Sequence, residues 1–207
     1  LVQNFPYLGF DFATGYDTLS AQIAQAMADG DVRAIAFRIA SPGGMVAGLF
    51  DLTDQIEAGR DDHGKPILAV LDDFAYSAAY AIACTADQIS VPRMGGLGSI
   101  GVISVHAEFS KMLESEGIAV TVMRAGERKA RGNMLEPLDD VTKAEWQTRI
   151  DAARDAFATL VGRNRARAGG FKTAAAGKSA ALASEAGVWE GEPDTANAVT
   201  AGFADAI

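Results

Sequence analysis

Ala34-Ile-Ala-Phe-Arg-Ile-Ala40, running directly into Ser41-Pro-Gly-Gly44, is the stretch on which the fold turns. A short, mostly apolar run bounded by turn residues reads as a buried strand. Pro42 and the paired glycines stop it, and an amphipathic helix follows through about Glu57. The same strand–turn–helix order recurs downstream. Asp61-Asp-His-Gly-Lys-Pro66 is a turn into the strand Ile67-Leu-Ala-Val-Leu71, and a small-residue helix starts at or just after Ser77. Gln88-Ile-Ser-Val-Pro92 then reads as a short strand.

Working outward, Asp17 to Asp29 has helical spacing, with Asp17 or Thr18 as cap and Leu19, Ile23, Ala26 and Met27 as its apolar stripe. Met94-Gly-Gly-Leu-Gly-Ser-Ile-Gly101 is a glycine-rich loop feeding an expected strand, Val102-Ile-Ser-Val105. A helix around Glu108 to Glu116 leads to a further expected strand, Ile118-Ala-Val-Thr-Val-Met123. From Val141 to about Ala168 the chain is one long charged helix, ended by Gly169 and Gly170. The remainder is loosely patterned until Val188-Trp189, and the last ten residues read as a helix end and a short strand. Strands alternating with helices define an α/β fold with mostly parallel pairing. Residues 1–207 are expected to form a single domain, its core at about 30–168, with 169–207 packing back on it.

Composition narrows the function. The 207 residues are 49% hydrophobic and 22% charged, which suits a folded domain, and the formal charge of −9 opposes a nucleic-acid-binding role. Cys84 is the only cysteine, so no internal disulfide can form, and its apolar helical surroundings fit an inert core thiol. No run approaches the roughly 20 apolar residues that span a bilayer, and no signal peptide opens the chain. Leu1 in the first position reads as the start of an excised or processed piece.

The residues that carry chemistry sit at element boundaries. Ser77, at a helix start, is placed near unpaired backbone N–H groups; the ordinary reading of such a serine is an N-cap. As a nucleophile it needs a base. The amides of Gly43 and Gly44, with that of Ala78, could hold an oxyanion, although a Pro-Gly turn before a helix is common in its own right. Lys129 lies in the glycine-bracketed stretch Ala125-Gly-Glu-Arg-Lys129-Ala-Arg-Gly-Asn133. It serves as a base only if its charged form is disfavoured, and Arg124, Arg128 and Arg131 fit either that or a plain surface loop. His106 is the rival base, since histidine titrates near neutrality. Gly96, Leu97, Gly98 and Ile100 read as an extended edge for a peptide backbone; the stretch lacks the Gly-Lys-Ser/Thr ending of a phosphate-binding loop. Two separated histidines and one cysteine make no metal site, and no cofactor is expected.

Ser41-Pro-Gly-Gly44, Ala75-Tyr-Ser77-Ala-Ala-Tyr80, Gly98-Ser-Ile-Gly-Val102 and Gly126-Glu-Arg-Lys129 occur in an order that resembles the signal peptide peptidase A family of serine proteases. The resemblance runs from about Ile35 to Arg165. Within that family the chain is most similar to the head-maturation proteases of lambda-type tailed phages, through Pro42-Gly-Gly-Met-Val-Ala-Gly48, Phe50-Asp51 and Gly132-Asn133. The resemblance implies a ClpP/crotonase-like spiral of ββα units with a long C-terminal helix, and a dyad of Ser77 and Lys129. Gly44, with Gly43, and Ala78 match its oxyanion donors, and Ser99 a hydroxyl that orients the lysine. It implies a homo-oligomer that cleaves scaffold, portal or its own precursor inside the assembling viral procapsid in the host cytoplasm. Ala78 and Ala79 depart from the glycines usual after the serine, and Met134 replaces a frequent proline. The alternatives are a bacterial signal-peptide-degrading peptidase, a crotonase-type acyl-CoA enzyme and an inactive assembly scaffold.

Overall fold

A computed structural model describes residues 13–207, so the first twelve residues of the expected domain lie outside the description. The chain divides into two compact units, one made of the residues up to Gly101 together with Arg154–Ile207, the other of Val102–Ala153.

The first unit is organised around β1 (Ile35–Ser41) and β2 (Ile67–Tyr76), joined by α2 (Leu49–His63). They pair in parallel from Ile35 opposite Ile67 to Ile39 opposite Leu71, then shift register so that Ser41 faces Ala75. Ile67, Ala69 and Leu71 alternate into the core, the period-2 signature of a half-buried strand. Strand β2 continues five residues beyond the expected Leu71, because its far end finds a second partner. Its first half pairs with β3 (Gln88–Ser90) and its second half with β4 (Gly96–Gly98), both in parallel. β4 also pairs antiparallel with β5 (Val188–Glu190), giving the order β1-β2-β4-β5.

Helices supply the core against this sheet. α1 (Tyr16–Ala28) starts on Gly15 rather than on an Asp17 or Thr18 cap, and Asp17 falls instead in its first turn, where negative charge suits the helix dipole. α3 (Ala78–Cys84) is buried on every side; its alanines let it sit at the centre of the unit. Cys84 is fully buried there, and burial pushes its thiol up to about 12, so it is unreactive near neutral pH. The long α5 (Asp140–Arg167) contributes Phe157, Leu160 and Val161 to the same core, and the Gly170 amide closes its end on the Arg165 carbonyl. The loosely patterned stretch after it contains α6 (Ala174–Ala183), capped by Thr173, and α7 (Asp194–Thr200) precedes a single bridge from Ala206 to Ser90.

The second unit holds α4 (Ser110–Ser115) and the first half of α5. Here two expectations fail. Val102–Val105 and Ile118–Met123 are not strands among the described residues. Ile103, Val105 and Met123 are among the most exposed large apolar side chains, and alternating sequence makes a strand only where a neighbour completes the ladder.

Candidate active site

Three parallel strands of the first unit end together, the side of an open α/β sheet where ligands generally bind. β1 ends at Ser41, β2 at Tyr76 and β4 at Gly98, with Tyr76 opposite Gly98. The next residues on β2 and β4 are Ser77 and Ser99, and both adopt a positive φ, +51° and +54°. A non-glycine residue held in that region stores on the order of 1–3 kcal/mol and persists only where its surroundings impose it. Here the Ser77 amide donates to the Gly98 carbonyl at 2.9 Å, and the Ala81 amide donates to the Ser77 carbonyl at 3.0 Å. The backbone is thereby fixed at a sharp strand-to-helix turn, a geometry that presents a hydroxyl outward.

Ser77 occupies the N-cap position of α3 but its side chain makes no capping hydrogen bond. The ordinary N-cap reading therefore does not describe it: the hydroxyl is not consumed by its own helix. The Ala78 amide is the first of α3 and has no intrahelical acceptor, and the Gly44 amide makes no hydrogen bond to the described residues. The Gly43 amide lies against the Ser41 hydroxyl, with 3.3 Å between N and Oγ. Ser41, seen in the sequence only as part of a turn, thus braces the glycine pair; its position at a strand end before Pro-Gly is the signal that could have singled it out.

Gly43 is in direct contact with the nucleophile candidate. Its φ is +125°, and a Cβ added there would lie 2.8 Å from Ser77 Cβ and 3.3 Å from Ser77 Oγ. Gly43→Ala is therefore expected to displace the turn and lower kcat/KM by about 10²-fold, the scale of losing one oxyanion donor. Steady-state hydrolysis alongside a thermal melt checks this, and a wild-type rate with an unshifted melt would contradict the packing.

One expectation is corrected at β4. The 96–98 stretch is not an open edge: Gly96 and Gly98 pair with β2 on one side and β5 on the other, and Leu97 and Ile100 are fully buried. The Ser99 amide is likewise taken, by the Gly187 carbonyl at 2.9 Å. The partner strand Val188–Glu190 lies some ninety residues away, which is why a local reading of the glycines missed it. Beside this strand, Tyr76 stacks on Phe74 at 5.1 Å, and its buried hydroxyl makes no hydrogen bond of good geometry among the described residues. Burial pushes that phenol up to about 12, with the Glu190 and Asp73 carboxylates adding to the effect, so it stays protonated.

Lys129 and His106 belong to the second unit. Lys129 lies in a turn closed by its own amide on the Gly126 carbonyl at 3.0 Å. Its side chain is exposed, and its ammonium makes no ion pair among the described residues. The flanking arginines are not uncompensated positive neighbours: Arg124 pairs with Glu136, Arg128 with Glu145, and Arg131 with Glu127 and Glu145. His106 sits edge-on to Trp146, with centroids 5.4 Å apart, and its buried Nε2 has no hydrogen-bond partner among the described residues. The first unit by itself thus gathers Ser41, Gly43, Gly44, Ser77, Ala78 and Ser99. No cluster of His, Cys, Asp and Glu that could hold a metal occurs among the described residues, and no described helix is long and apolar enough to cross a membrane.

A hydroxyl on a strained turn at the start of a helix is one of the elements that serine acyl transfer requires. Residues 60–205 match the family described as Peptidase family S49, and the chain belongs to that family. It is 36% identical over 198 residues to the head-tail preconnector protein GP5 of Enterobacteria phage P21, covering 96% of this chain and 36% of that protein. It is 35% identical over 204 residues to the capsid assembly protease C of Escherichia phage lambda, covering 98% of this chain and 42% of that protein. The chain therefore spans well under half the length of these two relatives. Among solved structures, a mutant of the 1510-N membrane-bound stomatin-specific protease in complex with a substrate peptide superposes with a TM-score of 0.53 at 15% identity, over 92% of this chain and 67% of that one. That likeness shows a shared α/β fold, as expected, and this chain carries the expected long helix α5 toward its C terminus.

Proposed function

We propose that this chain is the catalytic domain of a serine endopeptidase that processes viral capsid-assembly proteins inside the procapsid: scaffold, portal or its own precursor. The observation that carries the reading is Ser77, held at positive φ with a hydroxyl unused by its helix and Gly43 packed against it, in a chain of peptidase family S49. The similarity of this chain to a phage capsid assembly protease and a phage head-tail preconnector protein supports the substrate class.

In this reading neutral Lys129 takes the proton of Ser77 Oγ as that oxygen attacks the peptide carbonyl. The amides of Ala78 and Gly44 receive the negative charge. The ammonium then protonates the leaving amine, and water hydrolyses the acyl-enzyme with Lys129 again as base. Ser99 orients the lysine. Bringing a lysine from about 10.4 to near 7 costs several kcal/mol, and Lys129 is exposed in the isolated chain. In this reading bound substrate or a neighbouring copy in a homo-oligomer supplies the enclosure that such a base requires.

The test is incubation with a candidate scaffold protein, read on a gel, for wild type, Lys129→Ala and His106→Ala. Cleavage lost in the lysine variant and kept in the histidine variant supports the dyad. The reverse pattern transfers the base to His106, whose unpartnered Nε2 is the observation favouring that second assignment.

A further inference from the structure

We propose that Glu145 on α5, with the adjoining Trp146 indole, is the positioning device for the Lys129 loop; the inference rests on the reading of Lys129 as base. All the groups involved lie in the second unit. Glu145 Oε1 accepts from Arg128 Nη2 and lies 3.9 Å from Arg131 Nη1, so one carboxylate faces guanidiniums on both sides of Lys129. The following residue, Gly132, has φ +69° and rests on the Trp146 ring so closely that a Cβ there would overlap Cζ2 and Cη2 of the indole. The loop is also tied internally. Asn133 Nδ2 donates to the Ala130 carbonyl at 2.8 Å and to Glu136 at 2.7 Å, and Arg124 pairs with the same Glu136 carboxylate.

The helical end of this frame is itself fixed. Asp139 accepts from the Thr142 amide at 2.8 Å and from its hydroxyl at 2.7 Å, which caps the first turn of α5 just before Glu145. His106 also packs edge-on against Trp146. Residues 128, 131 and 132 are therefore each anchored to consecutive positions of one helix, while the Lys129 ammonium between them makes no ion pair among the described residues. That is the arrangement needed to hold the backbone of a base still and leave its amine available. A surface loop without such a function has no reason to concentrate its anchors around a single unpaired lysine.

Glu145→Gln removes the charge without changing shape, and ion pairs this exposed contribute little to global stability, so the variant will fold. The expected result is a fall in kcat of about 10- to 100-fold, the scale of a base misplaced by a fraction of an ångström to an ångström, with KM and the thermal midpoint unchanged. The reversed pair Arg128→Glu with Glu145→Arg is expected to recover most of the lost kcat, which a purely structural or substrate-contacting role would not produce. Wild-type kcat in Glu145→Gln, or a loss carried in KM, overturns the positioning role. Lys129→Ala is run in parallel. If it is inactive while Glu145→Gln is normal, only the positioning role fails; if it is fully active, the reading of Lys129 as base fails and the positioning role falls with it.

Discussion

Ser77→Ala is expected to reduce cleavage of a protein substrate by on the order of 10³-fold or more, as removal of an essential nucleophile does elsewhere, while leaving the fold as stable as wild type. The two halves of that statement come from different observations. Activity depends on Oγ, the only atom lost. Stability does not, because this oxygen makes no capping hydrogen bond, and the turn is held through the backbone by Gly98 and Ala81. Ser77→Gly sharpens the test, since glycine adopts the observed φ of +51° without the steric cost. It is expected to be equally inactive and to unfold at a higher denaturant midpoint, by about 1 kcal/mol. A dead but stabilised variant would show that the strain serves the chemistry. Undiminished cleavage by Ser77→Ala would remove the nucleophile and with it the peptidase reading.

The parts of this molecule that were legible in the sequence are those written in local pattern. The strand at Ile35, the Pro-Gly-Gly turn and the helix after Ser77 all appear where turn residues bound apolar runs, and the long helix expected over 141–168 is found at Asp140–Arg167. Ser77 was legible for the same reason: it stands at the boundary of two readable elements. The errors share a different cause. Val102–Val105 and Ile118–Met123 have strand-like alternation, but a ladder needs a second chain segment, and sequence alternation cannot say whether one arrives. The 96–98 strand failed in the opposite sense, since its unforeseen partner is Trp189 and its neighbours. The environment of Lys129 was undecidable because burial is a property of what packs around a residue. Its arginine neighbours fitted either an activated lysine or a plain surface loop, and their ion pairs with Glu127, Glu136 and Glu145 lie beyond what local sequence displays.

The largest stability effect is expected at Arg165, which lies outside the proposed mechanism. Its side chain is 0% exposed, yet it carries a full charge in the middle of the first unit. Burial by itself would pull its pKa down, but the Asp205 carboxylate more than compensates and the guanidinium is held charged. The pair is bidentate, Nη1 to Oδ2 at 3.0 Å and Nη2 to Oδ1 at 2.8 Å, while Nε donates to the Gly202 carbonyl at 3.0 Å. Asp205 in turn accepts from the Ile89 amide at 2.7 Å, so one arginine fastens the end of the chain to α5 and to β3. Arg165→Leu leaves a partly exposed carboxylate and a carbonyl unanswered, and should destabilise the protein by about 1–3 kcal/mol. Arg165→Lys should recover little, because an ammonium cannot reproduce the planar fork. Removing both charges is the decisive comparison. In Arg165→Leu combined with Asp205→Leu the stranded carboxylate is gone, and only the backbone groups of Gly202 and Ile89 remain unsatisfied, so part of the loss should return. Urea unfolding with a common m-value measures all three. A double variant no more stable than Arg165→Leu would mean that packing around the arginine, and not a carboxylate left without its partner, sets the penalty.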